Sequence, residues 1–318
     1  MKINYIKCHG TGNIFYLIDE TNEVVINESE KRDFSIKVCN KDKTADGILF
    51  IGKGNSGIAK MRIFNSDGSE AEMCGNGLRC AGRYAGEVFN LKEFKFDTLK
   101  ENYFIKIKKS DISNLPNVEV EISNITTDIN SIPINGFSKK NFNQKVAVLS
   151  KDMLYTAVSI SNPHLVTITD TIEWDVMEEQ GELIKKHHSV FPEGINLSFL
   201  KIINENEVFV RTYERGVGFT KSCGTGMMSS VLNYCLNKPE LFGQRIKVYN
   251  DGGMVLITVK RDDEKLYSAN FEGNASYIES GKIKYDSEVL TINKEKEYHD
   301  EEKAYLKLLE IKDMKLND

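Results

Sequence analysis

The chain has 318 residues, 40% of them hydrophobic and 28% charged, with a formal net charge of -5. That length accommodates two domains of ordinary size, and the acidic balance offers nucleic acid no basic face. No apolar run approaches the ~20 residues of a membrane span, and MKINYIKCHGTGN lacks the features of a secretory signal, so a cytoplasmic location is expected.

Alternating apolar residues predict half-buried, mostly antiparallel strands through the first half at Tyr5–Lys7, Phe15–Ile18, Ile48–Ile51, Ala59–Phe64, Tyr103–Ile107 and Val118–Ile122. The second half repeats the pattern at Val146–Leu149, Ala157–Ile160, Leu165–Ile168, Glu207–Tyr213, Arg245–Tyr249 and Met254–Val259. Helices are fewer. One is predicted near Ser29–Cys39 and another near Asp175–His187. Two more follow cysteines: Leu78, Ala81, Ala85 and Val88 share one helical face, as do Met228, Val231, Leu232 and Cys235. The polar stretch Asn124–Asn143 reads as the connection between the halves. From about Ser287 the chain turns charged, with only a thin apolar stripe at Tyr305, Leu306, Leu308 and Leu309, which predicts a peripheral helix or tail.

Six scattered cysteines make no disulfide framework, and the lack of a C-x-x-C pair argues against structural zinc. Two of them sit in matching settings, MCGNG at Met73–Gly77 and SCGTG at Ser222–Gly226. An offset of 149 positions lays Cys74 on Cys223, Gly75 on Gly224, Gly77 on Gly226, Arg62 on Arg211 and Phe64 on Tyr213. It also pairs Asn13 with Asn162 and Phe50 with Phe199, which points to two copies of one structural unit. In each copy a strand leads through Cys-Gly-x-Gly into a helix. The free N–H groups and dipole of such a helix start bind a carboxylate and draw a cysteine from its usual pKa of ~8.5 towards neutrality. Two such thiols suit the removal of a proton from one side of a carbon and its return on the other.

A lone cysteine before a glycine is more often a buried structural residue. The in-register repeat reverses that preference for Cys74 and Cys223, while Cys80 and Cys235 read as core and Cys8 and Cys39 receive no role. GVGFTKSCGTG has Thr220 where a phosphate-binding loop needs glycine, which weakens a nucleotide-binding reading. A cysteine hydrolase served by His164 leaves the second thiol without a task.

The same residues resemble the diaminopimelate epimerase family. The resemblance covers nearly all of residues 1–286 and rests on HGTGN at His9–Asn13, KTADGILF at Lys43–Phe50, FNSDGSEAEMCGNGLRC at Phe64–Cys80, SNPH at Ser161–His164, GIN at Gly194–Asn196 and YERGVGFTKSCGTG at Tyr213–Gly226. It implies an α+β fold of two pseudo-symmetric domains, each a mostly antiparallel sheet wrapped around a central helix. The implied domains are 1–123 with 275–286, then 124–274, followed by the charged extension 287–318. It further implies a cofactor-free, metal-free isomerase, homodimeric in the manner of the family, acting on a small amino acid with no membrane or nucleic-acid partner.

Carried over by position, the resemblance makes Cys74 and Cys223 the catalytic pair, one a thiolate base and the other a thiol acid. His164 and Glu214 match the groups that tune them. Gly75, Asn76, Gly224 and Thr225 match the carboxylate cradle, Glu214 the ammonium partner, and Asn13, Asn65, Asn162, Asn196 and Arg215 the remaining substrate contacts. The implied reaction is conversion of LL- to meso-diaminopimelate for lysine and peptidoglycan precursors. Racemisation of lanthionine, histidine or another amino acid, and non-catalytic amino-acid binding, are the alternatives. Two departures bear on that choice: Ile14 and Phe219 stand where the family usually has acidic residues.

Overall fold

The computed structural model describes residues 1–110, 115–138, 141–286 and 289–317. The fold is α+β and dominated by strands. In chain order the first elements are β1 (Lys2–Gly10), β2 (Asn13–Glu20), α1 (Lys31–Lys41), β3 (Gly47–Lys53), β4 (Ala59–Asn65), β5 (Glu70–Ala71), α2 (Gly75–Phe89), β6 (Glu93–Asp97), β7 (Asn102–Lys109) and β8 (Pro116–Thr126). There follow β9 (Gln144–Lys145), β10 (Leu154–Ile160), β11 (Asn162–Ile168), α3 (Trp174–Lys186), β12 (Asn196–Asn204), β13 (Glu207–Glu214), β14 (Gly218–Phe219) and α4 (Gly224–Asn237). The chain ends with β15 (Ile246–Asn250), β16 (Gly253–Arg261), β17 (Leu266–Asn274), β18 (Ser276–Tyr285), β19 (Leu290–Glu297) and α5 (His299–Asn317). Two compact units result, one of residues 1–120 with 272–311 and one of residues 121–271 with 312–318.

The sequence repeat reappears in the strand pairing of each unit. In the first, β3 runs parallel to β2 with Phe15 opposite Gly47, and β4 returns antiparallel with Arg62 opposite Phe50. In the second, β12 runs parallel to β11 with His164 opposite Asn196, and β13 returns antiparallel with Arg211 opposite Phe199. All four positions differ by the same 149 residues. Each arginine is also held by a carboxylate in bidentate fashion, Arg62 by Glu70 at 2.6 and 2.8 Å and Arg211 by Asp251 at 2.8 and 2.7 Å. Such fork-to-fork pairs fix side-chain orientation as well as charge.

The cysteine-led helices pack as their apolar spacing dictates. Leu78, Ala81 and Ala85 of α2 are fully buried, as are Met228, Val231, Leu232 and Cys235 of α4. The α2 stripe ends earlier than expected: Val88 is 47% exposed, just before Asn90 closes the helix in the left-handed conformation. The other two helices lie within two residues of their predicted bounds. Their aromatic and aliphatic faces complete separate cores, Phe34 and Val38 of α1 with Tyr16, Phe50 and Tyr285, and Met177 and Ile184 of α3 with Tyr155, Phe199 and Tyr213.

Three expectations change. Val146–Leu149, expected as a strand, is a turn in which the Val146 carbonyl accepts the Leu149 and Ser150 N–H groups, with Val146 and Leu149 buried in the core of the second unit. The polar stretch 124–143 is not a bare connection, because Ile132 and Ile134 enter the core of the second unit and the buried Asn141 donates to Thr127 and Ala157 carbonyls. Residues 139–140 of that stretch, and Ser287 where the extension is expected to begin, lie outside the described residues. The extension itself is structured. Strand β19 pairs antiparallel with β18, which in turn pairs with β1, and α5 follows. In β19, Leu290 and Ile292 alternate with Thr291 and Asn293 and give way to the charged run Lys294–Glu297, which suits a strand at a sheet margin.

Candidate active site

Cys74 is the N-cap of α2, in extended conformation at φ -144°, and its sulfur accepts the Gly77 N–H at 3.5 Å. That bond satisfies one of the orphan donors at the positive end of the helix. The Asn13 amide oxygen lies 3.6 Å from the same sulfur and accepts from the Asn76 amide at 3.4 Å. Asn13 is itself anchored: its Nδ2 donates to Asp46 at 2.8 Å, and the same carboxylate oxygen takes the Ile14 N–H at 2.7 Å. Asp46 sits inside KTADGILF, and no residue pattern there marked it for a task.

Behind this group lies Arg79, buried on α2. Its guanidinium donates to Asn76 Oδ1 at 3.0 Å, to the Thr11 hydroxyl at 3.1 Å and to the Asn274 carbonyl at 3.1 Å. Burial lowers its pKa to about 10, against the opposing attraction of the Cys80 and Cys74 sulfurs. Gly10 makes room for it, because a Cβ there would come within 2.7 Å of Arg79 Nη2 and 3.0 Å of the Asn76 carbonyl. Gly75 and Asn76 are buried at the helix start, and Asn65, at the end of β4, donates to the Ser69 hydroxyl at 3.0 Å.

Cys223 is the N-cap of α4, at φ -109°. Its surroundings differ from those of Cys74. Burial pushes its thiol well above the usual range, and the nearby Glu214 carboxylate adds to the effect. The expectation of a helix-start thiol drawn towards neutrality is therefore reversed at Cys223, because desolvation and a facing negative charge outweigh the helix dipole. Glu214 is raised by burial too, opposed by hydrogen bonds from the Thr220 hydroxyl and the Cys223 thiol. Thr225 Oγ1 lies 3.6 Å from the sulfur and 3.5 Å from Asn162 Nδ2. Asn162 and Thr225 thus repeat, 149 residues on, the contact between Asn13 and Asn76.

His164 is buried, and its Nε2 meets Asn162 Oδ1 at 2.9 Å. Burial, assisted by the charge of Arg215, pulls the imidazole down to about 3, so the ring is neutral. A neutral ring facing an amide oxygen through Nε2 carries its proton on that nitrogen. Asn196, opposite His164 across β11 and β12, accepts the Arg215 N–H at 2.9 Å. The exposed Arg215 side chain donates to the Glu193 carbonyl at 3.1 Å. Gly226 permits close packing of α4, since a Cβ there would collide with the Thr212 hydroxyl and reach the Ser198 hydroxyl at 3.0 Å.

Phe219, at a position usually acidic in the pattern above, lies in an aromatic cluster. It pairs with Tyr213 across β13 and β14, and its ring meets Tyr213 edge-on at 5.1 Å and Trp174 at 4.5 Å. The next residue, Thr220, bonds Glu214, as alternation along an extended chain allows. At Ile14, the other departure, the backbone N–H is taken by the Asp46 carboxylate. Among the described residues no cluster of His, Cys, Asp and Glu is arranged to hold a metal ion, and no helix is long and apolar enough to cross a membrane.

A family model described as diaminopimelate epimerase matches residues 5–123 and 156–278. Relatives named diaminopimelate epimerase include one from Clostridium acetobutylicum, 42% identical over 302 residues that cover 93% of this chain and 91% of the relative. Another, from Listeria monocytogenes, is 38% identical and covers 91% of each chain. Solved structures with the same fold include a Bacillus anthracis phenazine biosynthesis protein of the PhzF family, at a TM-score of 0.66 and 18% identity over 90% of this chain and 100% of that one. A hydroxyproline epimerase from Agrobacterium vitis matches at a TM-score of 0.59 and 12% identity, over 91% and 92% of the two chains.

Proposed function

The chain belongs to the diaminopimelate epimerase family, and from that premise we propose that it interconverts LL- and meso-diaminopimelate through Cys74 and Cys223. The observation that carries this reading is the repeated half-site, in which each cysteine stands at the N-cap of a helix, Asn13 beside the Cys74 sulfur and Asn162 beside the Thr225 hydroxyl that meets the Cys223 sulfur.

The two thiols take different roles. Cys74 is the base: its sulfur accepts a backbone N–H at the positive end of α2, a setting that accommodates a thiolate. Cys223 is the acid, because burial and Glu214 keep its proton in place. In one turnover the α-proton passes to the Cys74 sulfur and the Cys223 proton is delivered to the opposite face. The electron pair left on the α-carbon delocalises into the carboxylate. Backbone N–H groups at Gly75 and Asn76, and at Gly224 and Thr225, hold that carboxylate as its charge grows. The enzyme then carries the reversed pair of protonation states, and solvent exchange or reverse turnover resets it.

Glu214 takes the α-ammonium. His164 acts through Asn162, holding its amide rather than transferring a proton. Asn13, Asn65, Asn162, Asn196 and Arg215 bind the rest of the substrate, with the guanidinium fork suited to the distal carboxylate. Retention of the residues expected at the distal end supports a substrate with two amino acid ends, and the Phe219 ring is engaged by Trp174 and Tyr213. Meso-diaminopimelate would feed lysine and peptidoglycan precursors.

Deuterated water provides the test. With LL-diaminopimelate and no added pyridoxal phosphate, deuterium should enter the α-carbon as the isomers interconvert. Cys74→Ala and Cys223→Ala should each abolish interconversion. Turnover of either variant at the parent rate would make the two-thiol reading wrong.

A further inference from the structure

We propose that the C-terminal helix α5 is a positioning element of the active centre, with Tyr305 setting the His9 ring and, through it, the turn that holds Asn13 at Cys74. The residues matched by the family model end at 278, so nothing in that match assigns the extension a role. The proposal concerns geometry inside the first unit, and its catalytic consequence rests on the role given to Cys74 above.

The first link is aromatic. The Tyr305 ring meets His9 edge-on, with centroids 4.3 Å apart and planes at 61°. His9 is buried near the end of β1, and its Nδ1 accepts the Gly12 N–H at 3.2 Å. An edge-to-face contact constrains the rotation of a ring, and here that rotation decides whether Nδ1 points at Gly12.

Gly12 belongs to a two-residue turn joining β1 to β2, with Gly10 paired to Asn13 across it. Both turn residues are left-handed, Thr11 at φ 49° and Gly12 at φ 75°. For Thr11, a β-branched residue, that conformation is strained and persists only where surrounding contacts hold it. Contacts that hold it include the Thr11 N–H bond to Asn274 at 3.0 Å, the Thr11 hydroxyl bonds with Asn76 and Arg79 at 3.1 Å, and the His9 bond to the next residue, Gly12. The first residue beyond the turn is Asn13, whose amide oxygen lies 3.6 Å from the Cys74 sulfur.

The second link grips α2 near its middle. Glu301 of α5 takes Arg83 of α2 in bidentate fashion, at 2.6 and 2.9 Å, and also accepts the Tyr277 N–H at 2.8 Å. Arg83 is buried, stacks over the Tyr277 ring at 3.5 Å and donates to the Ala275 carbonyl at 2.7 Å. A charged, nearly dry pair of this kind fixes the two helices at one register. Leu308, one turn beyond Tyr305, is buried too, and its loss serves as a control for stability alone.

The test compares full-length Tyr305→Ala, Tyr305→Phe and Leu308→Ala. Each is measured for kcat/KM, urea stability and the rate at which iodoacetamide alkylates Cys74, followed by peptide mass spectrometry. Tyr305→Ala should lower kcat/KM by ~10-fold or more, since small misplacements at a reacting centre cost up to about 100-fold. It should also change the Cys74 alkylation rate several-fold. Tyr305→Phe should restore both, and Leu308→Ala should reduce stability without reproducing either. Parent kinetics and alkylation in Tyr305→Ala would overturn the proposal, as would the same two changes in Leu308→Ala. If Tyr305→Ala does not fold, Tyr305→Leu carries the comparison, keeping bulk while losing the ring edge. Alkylation needs no substrate. A change in alkylation with kcat/KM unaltered would uphold the positioning and count against the catalytic role of Cys74.

Discussion

His164 offers a direct thermodynamic measurement of the buried polar network. In the folded protein its imidazole titrates at about 3, against a reference of 6.5, chiefly because burial disfavours the cation. The folded pKa is thus depressed, and between those values the unfolded chain binds a proton that the native chain does not. Stability from this group is complete above about pH 6.5 and declines as pH falls towards 3. The slope is about 1.4 kcal/mol per pH unit, so lowering the pH from 6.5 to 5 costs about 2 kcal/mol. Urea unfolding of the parent and of His164→Gln between pH 5 and 8 isolates the term, because other titrating groups are common to both. The parent should lose about 2 kcal/mol more than the variant over that interval. Equal losses would mean that His164 is not held neutral, and its proposed hold on Asn162 would fall with it.

Two substitutions address the departures from the family pattern. Asp46→Ala removes the carboxylate that anchors Asn13 and the Ile14 N–H, and a hydrogen bond to a charged group is worth about 1.5 kcal/mol or more, so kcat/KM should fall ~10-fold. Steady-state epimerisation kinetics check this; an unchanged kcat/KM would show that Asn13 needs no such anchor. Phe219→Glu, which restores the usual acid, breaks two edge-on aromatic contacts worth ~0.5–1.5 kcal/mol each and should destabilise by about 1–3 kcal/mol. The ratio of kcat/KM for diaminopimelate over lanthionine should stay the same. A shifted ratio with unaltered stability would place Phe219 at the substrate after all.

Local patterns carried much of the fold. The two cysteine-led helices and the strands before them were legible because apolar period, glycine spacing and the 149-residue repeat all pointed one way. The extension was not legible, because its thin stripe gains its burial from distant partners: Tyr305 against His9, Glu301 against Arg83. Asp46 escaped notice for a similar reason. An aspartate before a glycine reads as a turn residue until β2 and β3 lie side by side and bring Asn13 within reach of it. Phe219 misled in the opposite direction, since a family position usually acidic appeared to change the site while its ring joins the aromatic cluster of Tyr213 and Trp174.

The repeat also explains why a symmetric scaffold yields unlike thiols. The two-thiol mechanism proposed above needs one sulfur without its proton and one with it before substrate arrives, and identical surroundings would give both the same state. Here the strand–helix frame is shared, down to the pairing of Asn13 with Asn76 and of Asn162 with Thr225. The charges are not. The cation Arg79 lies on α2 behind Asn76, where it attracts the Cys74 sulfur, whereas Glu214 faces Cys223 with Thr220 bonded to it. Position 79 corresponds to Met228 in the second copy, and Glu214 to Asn65 in the first. Exchange of a cation for an apolar residue, and of a neutral amide for an acid, differentiates the two half-sites without altering the backbone that carries them.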